Sequence, residues 1–213
     1  DDVLQLQVSI PNRQANRGDK NLSLIAKSFV SAFYNAGIKE DLYYTAPRGD
    51  ECIRRNQGIG RAIAIANRGM LNLWDIETGL NAIEPFTHSE DEYIVMGALT
   101  GVGIVSAAVR SEFDPAKALL IDFLENKKED VKIGAIFGFA MAYAGSARED
   151  ILECLSPLLQ AEEPRIQAFA SLAIGLVFVG TCNDSALSFV SEMIIQTTDD
   201  KSIVHLIPIM ALG

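Results

Sequence analysis

Gly97-Ala-Leu-Thr-Gly101-Val-Gly103 is followed 37 residues later by Gly134-Ala-Ile-Phe-Gly138-Phe-Ala140. A third copy lies between Arg165 and Gly180, where Ala170, Ala173 and Gly175 hold the corresponding places. A fourth starts at Ile203 and reaches Met210-Ala-Leu-Gly213, the counterpart of Leu172-Ala-Ile-Gly175. A phrase that returns at this period marks a repeat architecture, in which one supersecondary unit is copied and stacked.

Each copy joins two kinds of segment. Val131 to Ala144 is rich in small residues, Ala135, Gly138, Ala140, Ala142 and Ala144 among them. Arg148 to Gln160 carries Ile151, Leu152, Leu155, Leu158 and Leu159, the stripe of a helix buried along one side. Two helices per copy, repeated, give a helical solenoid or toroid whose units bury their apolar faces only against one another. Glycine inside a helix costs about 1 kcal/mol relative to alanine, and close packing within an inner row of helices is the reason that fits several of them. Gly101-Val-Gly103-Ile-Val-Ser106 has the outline of a dinucleotide-binding turn, but the third glycine and a preceding strand are missing, and other copies hold alanine at half the positions.

Working outward, the expected fold class is all-α, an α-solenoid or toroid of stacked helix hairpins. Residues 1–55 form a flanking segment with one helix (Asn21 to Asn35) and a loop (Ile38 to Arg55), and residues 56–213 form the repeats. Gln57 to Leu73 reads as an early inner helix with its partner at Thr78 to Phe86. Tyr93 to Arg110 pairs with a helix opened by Asp114-Pro115, aspartate as N-cap and proline at the first helical position. Pro157 is expected to bend the helix that contains it. The chain starts without methionine and stops inside a repeat, so a segment of a longer protein is expected.

A net charge of -10 argues against a nucleic-acid partner, whose phosphates need clustered lysine and arginine, and favours a partner with a basic rim. Acidic clusters mark the turn after each outer helix (Glu90-Asp91-Glu92, Glu129-Asp130, Glu162-Glu163, Asp199-Asp200), so one edge is expected to be negative, the alternative being that these residues solvate turns and favour the N-termini of the helices that follow. Cys52, Cys154 and Cys182 are odd in number and far apart, which indicates neither a disulfide frame nor a zinc site and fits a reducing compartment. The longest weakly polar run, Ala168 to Gly180, is too short to span a bilayer. His88 and His205 are the only histidines and neither has a nucleophile motif beside it, so no enzyme and no cofactor are expected. Arg48-Gly49-Asp50 is read as an accident of loop composition, and the glycosylation sequons at Asn21 and Asn183 matter only in a secreted protein.

The phrases Gly134 to Ser146, Val179-Gly-Thr-Cys-Asn183 and Asn21 to Asn35 resemble the proteasome/cyclosome repeat family, which includes the two largest non-ATPase subunits of the proteasome regulatory particle. The resemblance implies a toroid in the cytoplasm and nucleus. Its implied partners are ubiquitin chains, the ubiquitin-like domains of shuttle factors and the proteasome ATPase subunits, with no membrane partner. It also implies a docking site on outer helices, marked by three spaced acids just after the Val-Gly-Thr-Cys-Asn phrase. Those three positions fall here on Ser185, Glu192 and Gln196, with Asp184 one residue early as a substitute for the first acid. A helical projection sets Leu187, Val190 and Ile194 on one side and Ser185, Phe189, Glu192 and Gln196 on the other, so that Phe189 is expected in solvent beside Glu192. The competing expectation is a purely architectural scaffold with Phe189 covered.

Overall fold

A computed structural model describes residues 17–40, 53–196 and 207–211. The described residues contain helices and no strand: α1 (Arg17–Tyr34), α2 (Ile59–Leu71), α3 (Ile76–Thr87), α4 (Glu92–Val105), α5 (Pro115–Leu120), α6 (Glu129–Ala142), α7 (Glu149–Leu155), α8 (Pro164–Val177), α9 (Asp184–Gln196) and α10 (Ile207–Met210). α5 and α7 each run on into a 3-10 turn, Ile121–Glu125 and Ser156–Gln160. The architecture is the expected all-α helical-repeat solenoid. Arg48-Gly49-Asp50, Cys52, Asp199-Asp200 and His205 lie outside the described residues. Of the loop expected over Ile38 to Arg55, residues 53–55 are helical.

The inner row is α1, α2, α4, α6 and α8, each packed on the next. The glycines of the repeated phrase are where this row closes. A Cβ on Gly97 would stand 2.3 Å from the Ala62 carbonyl oxygen, and one on Gly103 would stand 2.2 Å from that of Gly138. Gly69, Gly134 and Gly138 face the backbone of Gly101, Met96 and Leu99 in the same way. These helices touch backbone to backbone, at distances where no side chain fits. Between α6 and α8 alanine replaces glycine, and Phe137 and Phe169 meet there with ring centroids 5.0 Å apart.

Outer helices α3, α5, α7 and α9 cover the row. Ile83, Leu120, Leu155 and Val190, one from each and 37, 35 and 35 residues apart, are all buried. They belong to one continuous core with Leu99, Val105, Ile136, Phe139, Ile166 and Ile174 from the inner row. Burial of a large aliphatic side chain contributes about 1.5–3 kcal/mol, and each of these is covered only because a neighbouring repeat is present.

The switch to 3-10 geometry comes at Ser156, beside Pro157, as expected, yet α5 makes the same switch at Ile121 without a proline. Position in the repeat therefore contributes as well as proline. Asp114 stands at the N-cap and Pro115 at the first helical position as expected, but the capping bond itself is absent. Asp114 sits in the left-handed region (φ 42°) and its carboxylate makes no capping bond, because Tyr143 and Arg148 of the next repeat hold it instead.

Candidate functional site: an outer-helix docking surface

Among the described residues, the segment that leaves each inner helix passes through a left-handed residue at a recurring place. Lys39, Trp74, Ala108, Ala147 and Cys182 all have positive φ, between 50° and 71°, and follow one another at intervals of 35, 34, 39 and 35 residues. Non-glycine residues adopt this conformation at a cost of about 1–2 kcal/mol. A hydrogen bond offsets it: the N–H groups of Lys39, Trp74 and Ala147 donate to the last carbonyls of the next inner helix, at Leu71, Val105 and Val177 (3.0, 3.3 and 3.0 Å). The turn thus fixes where each outer helix begins and satisfies a helix end that would lack a partner.

Polar bonds then lock neighbouring outer helices. Lys117 of α5 lies 2.6 Å from Asp150 of α7, and Arg148 contacts both Asp150 (2.5 Å) and Asp114 (2.6 Å) while its guanidinium covers the Tyr143 ring. Hydrogen bonds from Arg148 and Lys117 hold the Asp150 carboxyl far below the usual range. Burial, reinforced by the bond to Asp114, pushes the Tyr143 hydroxyl well above its ordinary value. Burial also raises the Cys154 thiol. The titratable groups of this cluster satisfy one another, which makes it a joint between repeats.

Asn183 extends the same seam. Its side-chain oxygen accepts from the Ala186 N–H at 2.9 Å, capping α9, while its amide nitrogen donates to Glu149 of α7 at 2.8 Å. Asp184, Ser185 and Glu192 are exposed on the helix that follows, and Phe189 keeps 36% of its surface in solvent. The side chain of Gln196 lies outside the described residues. The structure thus brings Ser185, Phe189 and Glu192 onto one flank of α9, with Asp184 at its first turn.

Of the stripe expected at Leu187, Val190 and Ile194, Val190 is buried and Ile194 packs against the core, while the placing of Leu187 is corrected. Ala186, Val190 and Met193 are buried, and Leu187 is 52% exposed. The spacing i, i+4, i+7 with alanine at its head brings α9 down on α8, and this rotates Leu187 out. Ile195, 73% exposed, adds a further apolar side chain to the outward surface. Sequence reasoning missed both because it assigned burial by hydrophobic size; the small Ala186 marked the contact side.

On the opposite rim the acids are paired with cations, and at Asp91 they serve the start of the following helix. Asp91 pairs with Arg61 (2.5 Å), Glu92 with Lys128 (3.2 Å), and Glu129 and Asp130 with Arg165 (3.1 and 3.3 Å), each bond crossing between repeats. Asp91 also caps α4 by accepting from Tyr93 and Ile94 N–H. Among the described residues no group of three His, Cys, Asp or Glu is placed to hold a metal ion, and no helix is long and apolar enough to cross a membrane.

Stacked hairpins with laced rims and an outward apolar flank define a helical-repeat scaffold. No protein-family model matches the chain. It is 35% identical over 183 residues to the 26S proteasome non-ATPase regulatory subunit 2 of Dictyostelium discoideum, a match covering 85% of this chain and 20% of that protein. It is 36% identical over 182 residues to the 26S proteasome regulatory subunit rpn-1 of Neurospora crassa, covering 83% of this chain and 20% of that one. It is 35% identical over 192 residues to rpn1 of Schizosaccharomyces pombe, covering 89% and 22%. The resemblance carried by the repeat phrase therefore holds: along most of its length the chain is similar to the large non-ATPase regulatory subunits of the 26S proteasome, of the subunit 2 or rpn1 kind. The chain spans about a fifth of the length of these relatives.

Proposed function

We propose that the chain is part of a non-catalytic scaffold of the proteasome regulatory particle, in the cytoplasm and nucleus, and that its outer helices dock ubiquitin chains and the ubiquitin-like domains of shuttle factors. The observation that carries this reading is the outward flank of α9. Its burial needs are met by Ala186, Val190 and Met193, yet it keeps Phe189, Leu187 and Ile195 in solvent with Glu192 and Asp184 among them. An exposed aromatic beside acidic and polar groups, with further apolar side chains along the helix, suits a small partner that presents an apolar patch ringed by lysine and arginine. Likeness to proteasome regulatory subunits supplies the context.

A test is binding of ubiquitin to the purified chain and to Glu192→Arg. The docking reading expects affinity to fall roughly tenfold with the reversed charge, about 1.4 kcal/mol, and the loss to shrink at high salt. Equal binding by both forms contradicts it.

A second reading keeps the scaffold and drops ubiquitin. Ser185 and Gln196 stand where the family resemblance implies acids, which favours contact with ATPase or other proteasome subunits alone. It expects no ubiquitin binding at high micromolar concentration.

A further inference from the structure

The turn from Thr87 to Glu92 joins α3 to α4, and the turn from Glu125 to Lys128 holds the same place one repeat on. Between them lies an open groove of about 580 Å³ with an apolar floor of Val95, Phe123 and Val131. His88 and Ser89 form one wall; Lys127 and Lys128 form the other. One junction further along, the rim is bridged by Arg165 reaching Glu129 and Asp130. At the groove the bridge is Lys128 to Glu92, and Lys127 is exposed with no ion pair among the described residues.

Ser89 is followed by Glu90, Asp91 and Glu92, the acidic context that acid-directed serine kinases select. We propose that Ser89 is a phosphorylation site whose phosphate closes this groove by pairing with Lys127 and Lys128 of the following repeat. In the transfer the Ser89 Oγ attacks the γ-phosphorus of ATP held by the kinase. The bond from that phosphorus to the β–γ bridging oxygen breaks, ADP leaves, and the hydroxyl proton passes to the kinase's base.

The product is nearly dianionic at neutral pH, with three strong acceptor oxygens. Ser89 Oγ already accepts from the Asp91 N–H at 3.2 Å, so the phosphate grows out at the start of α4, where the helix dipole favours negative charge. Glu92 and Glu125 line the same groove and oppose it. Lys128 exchanges Glu92 for the more highly charged phosphate, and Lys127 adds a charge that no carboxylate among the described residues claims. Ser111 is the rival site, exposed with Glu112 and Asp114 after it, but no lysine lines the small cleft at its side. Phosphorylation at Ser89 replaces the Lys128–Glu92 rung of the rim with a removable one, between the rungs Arg61–Asp91 and Arg165–Glu129.

The test treats the purified chain with ATP and an acid-directed serine kinase, maps the phosphate by mass spectrometry, and follows its second ionisation by phosphorus NMR. The phosphate is expected on Ser89 and lost in Ser89→Ala. Its ionisation is expected below the ordinary value near 6 by about half a pH unit or more, and back at that value in Lys127→Gln/Lys128→Gln. Phosphate on Ser111 alone overturns the proposal, and so does the same ionisation midpoint with and without the two lysines.

Discussion

At Gly103 a methyl group would meet the Gly138 carbonyl at 2.2 Å, and at Gly101 the nearest atom to a methyl would be the tip of Ile83 at 3.1 Å. The two glycines sit in one helix two residues apart, so helix propensity acts on them alike and packing separates them. Gly103→Ala forces two backbones apart and is expected to cost about 3 kcal/mol, at the upper end of overpacking effects. Gly101→Ala asks only a side chain to yield and is expected to cost less than about 1 kcal/mol, since the alanine's better helix propensity offsets the crowding. Urea unfolding of the two variants side by side checks this; similar losses would mean that the inner row is looser than described.

At the scale of the element, the recurring left-handed turn precedes each described outer helix. Ala147 has φ 53° and its N–H closes the end of α8. Glycine there relieves strain and keeps the bond, so Ala147→Gly is expected to leave stability unchanged or raise it by up to about 1 kcal/mol. Ala147→Val is expected to lower it by more than that, because a β-branched side chain tolerates positive φ worst. Thermal unfolding decides between them.

The repeat and its two helices were legible in the sequence because glycine and alanine are placed by close approach, and close approach recurs with the unit. The turn was not legible: its positions hold Lys, Trp, Ala, Ala and Cys, which share a backbone angle and no chemistry. The pairing of Asp114 with Tyr143 and Arg148 was hidden for a related reason, since the Asp-Pro pair signals a helix cap locally and the cation that captures the carboxylate comes from the next repeat. On α9, Ser185, Phe189 and Glu192 were placed outward by the projection alone. Leu187 was misplaced because hydrophobic size was taken as the guide to burial where the small Ala186 makes the contact.

At the scale of the molecule, bonds between repeats carry a pH dependence. The Asp150 carboxyl is held below its unfolded value by Arg148 and Lys117, so its contribution is complete above about pH 4, the unfolded value, and is lost as pH falls toward the folded one. The side chain is 41% exposed and screened by solvent, which keeps the contribution near 1 kcal/mol. Asp150→Asn is expected to lower stability by about that amount at pH 7. The gap between variant and parent should close as the pH is lowered from about 4 toward 2. A gap independent of pH would place the Asn effect elsewhere.

The docking reading depends most on whether the outward flank of α9 meets a partner. The direct measurement is a titration of isotope-labelled chain with unlabelled ubiquitin, followed residue by residue by NMR. The account predicts shifts concentrated on Asp184, Ser185, Phe189 and Glu192 and abolished by Glu192→Arg. Shifts absent from α9, or unchanged in that variant, would contradict it.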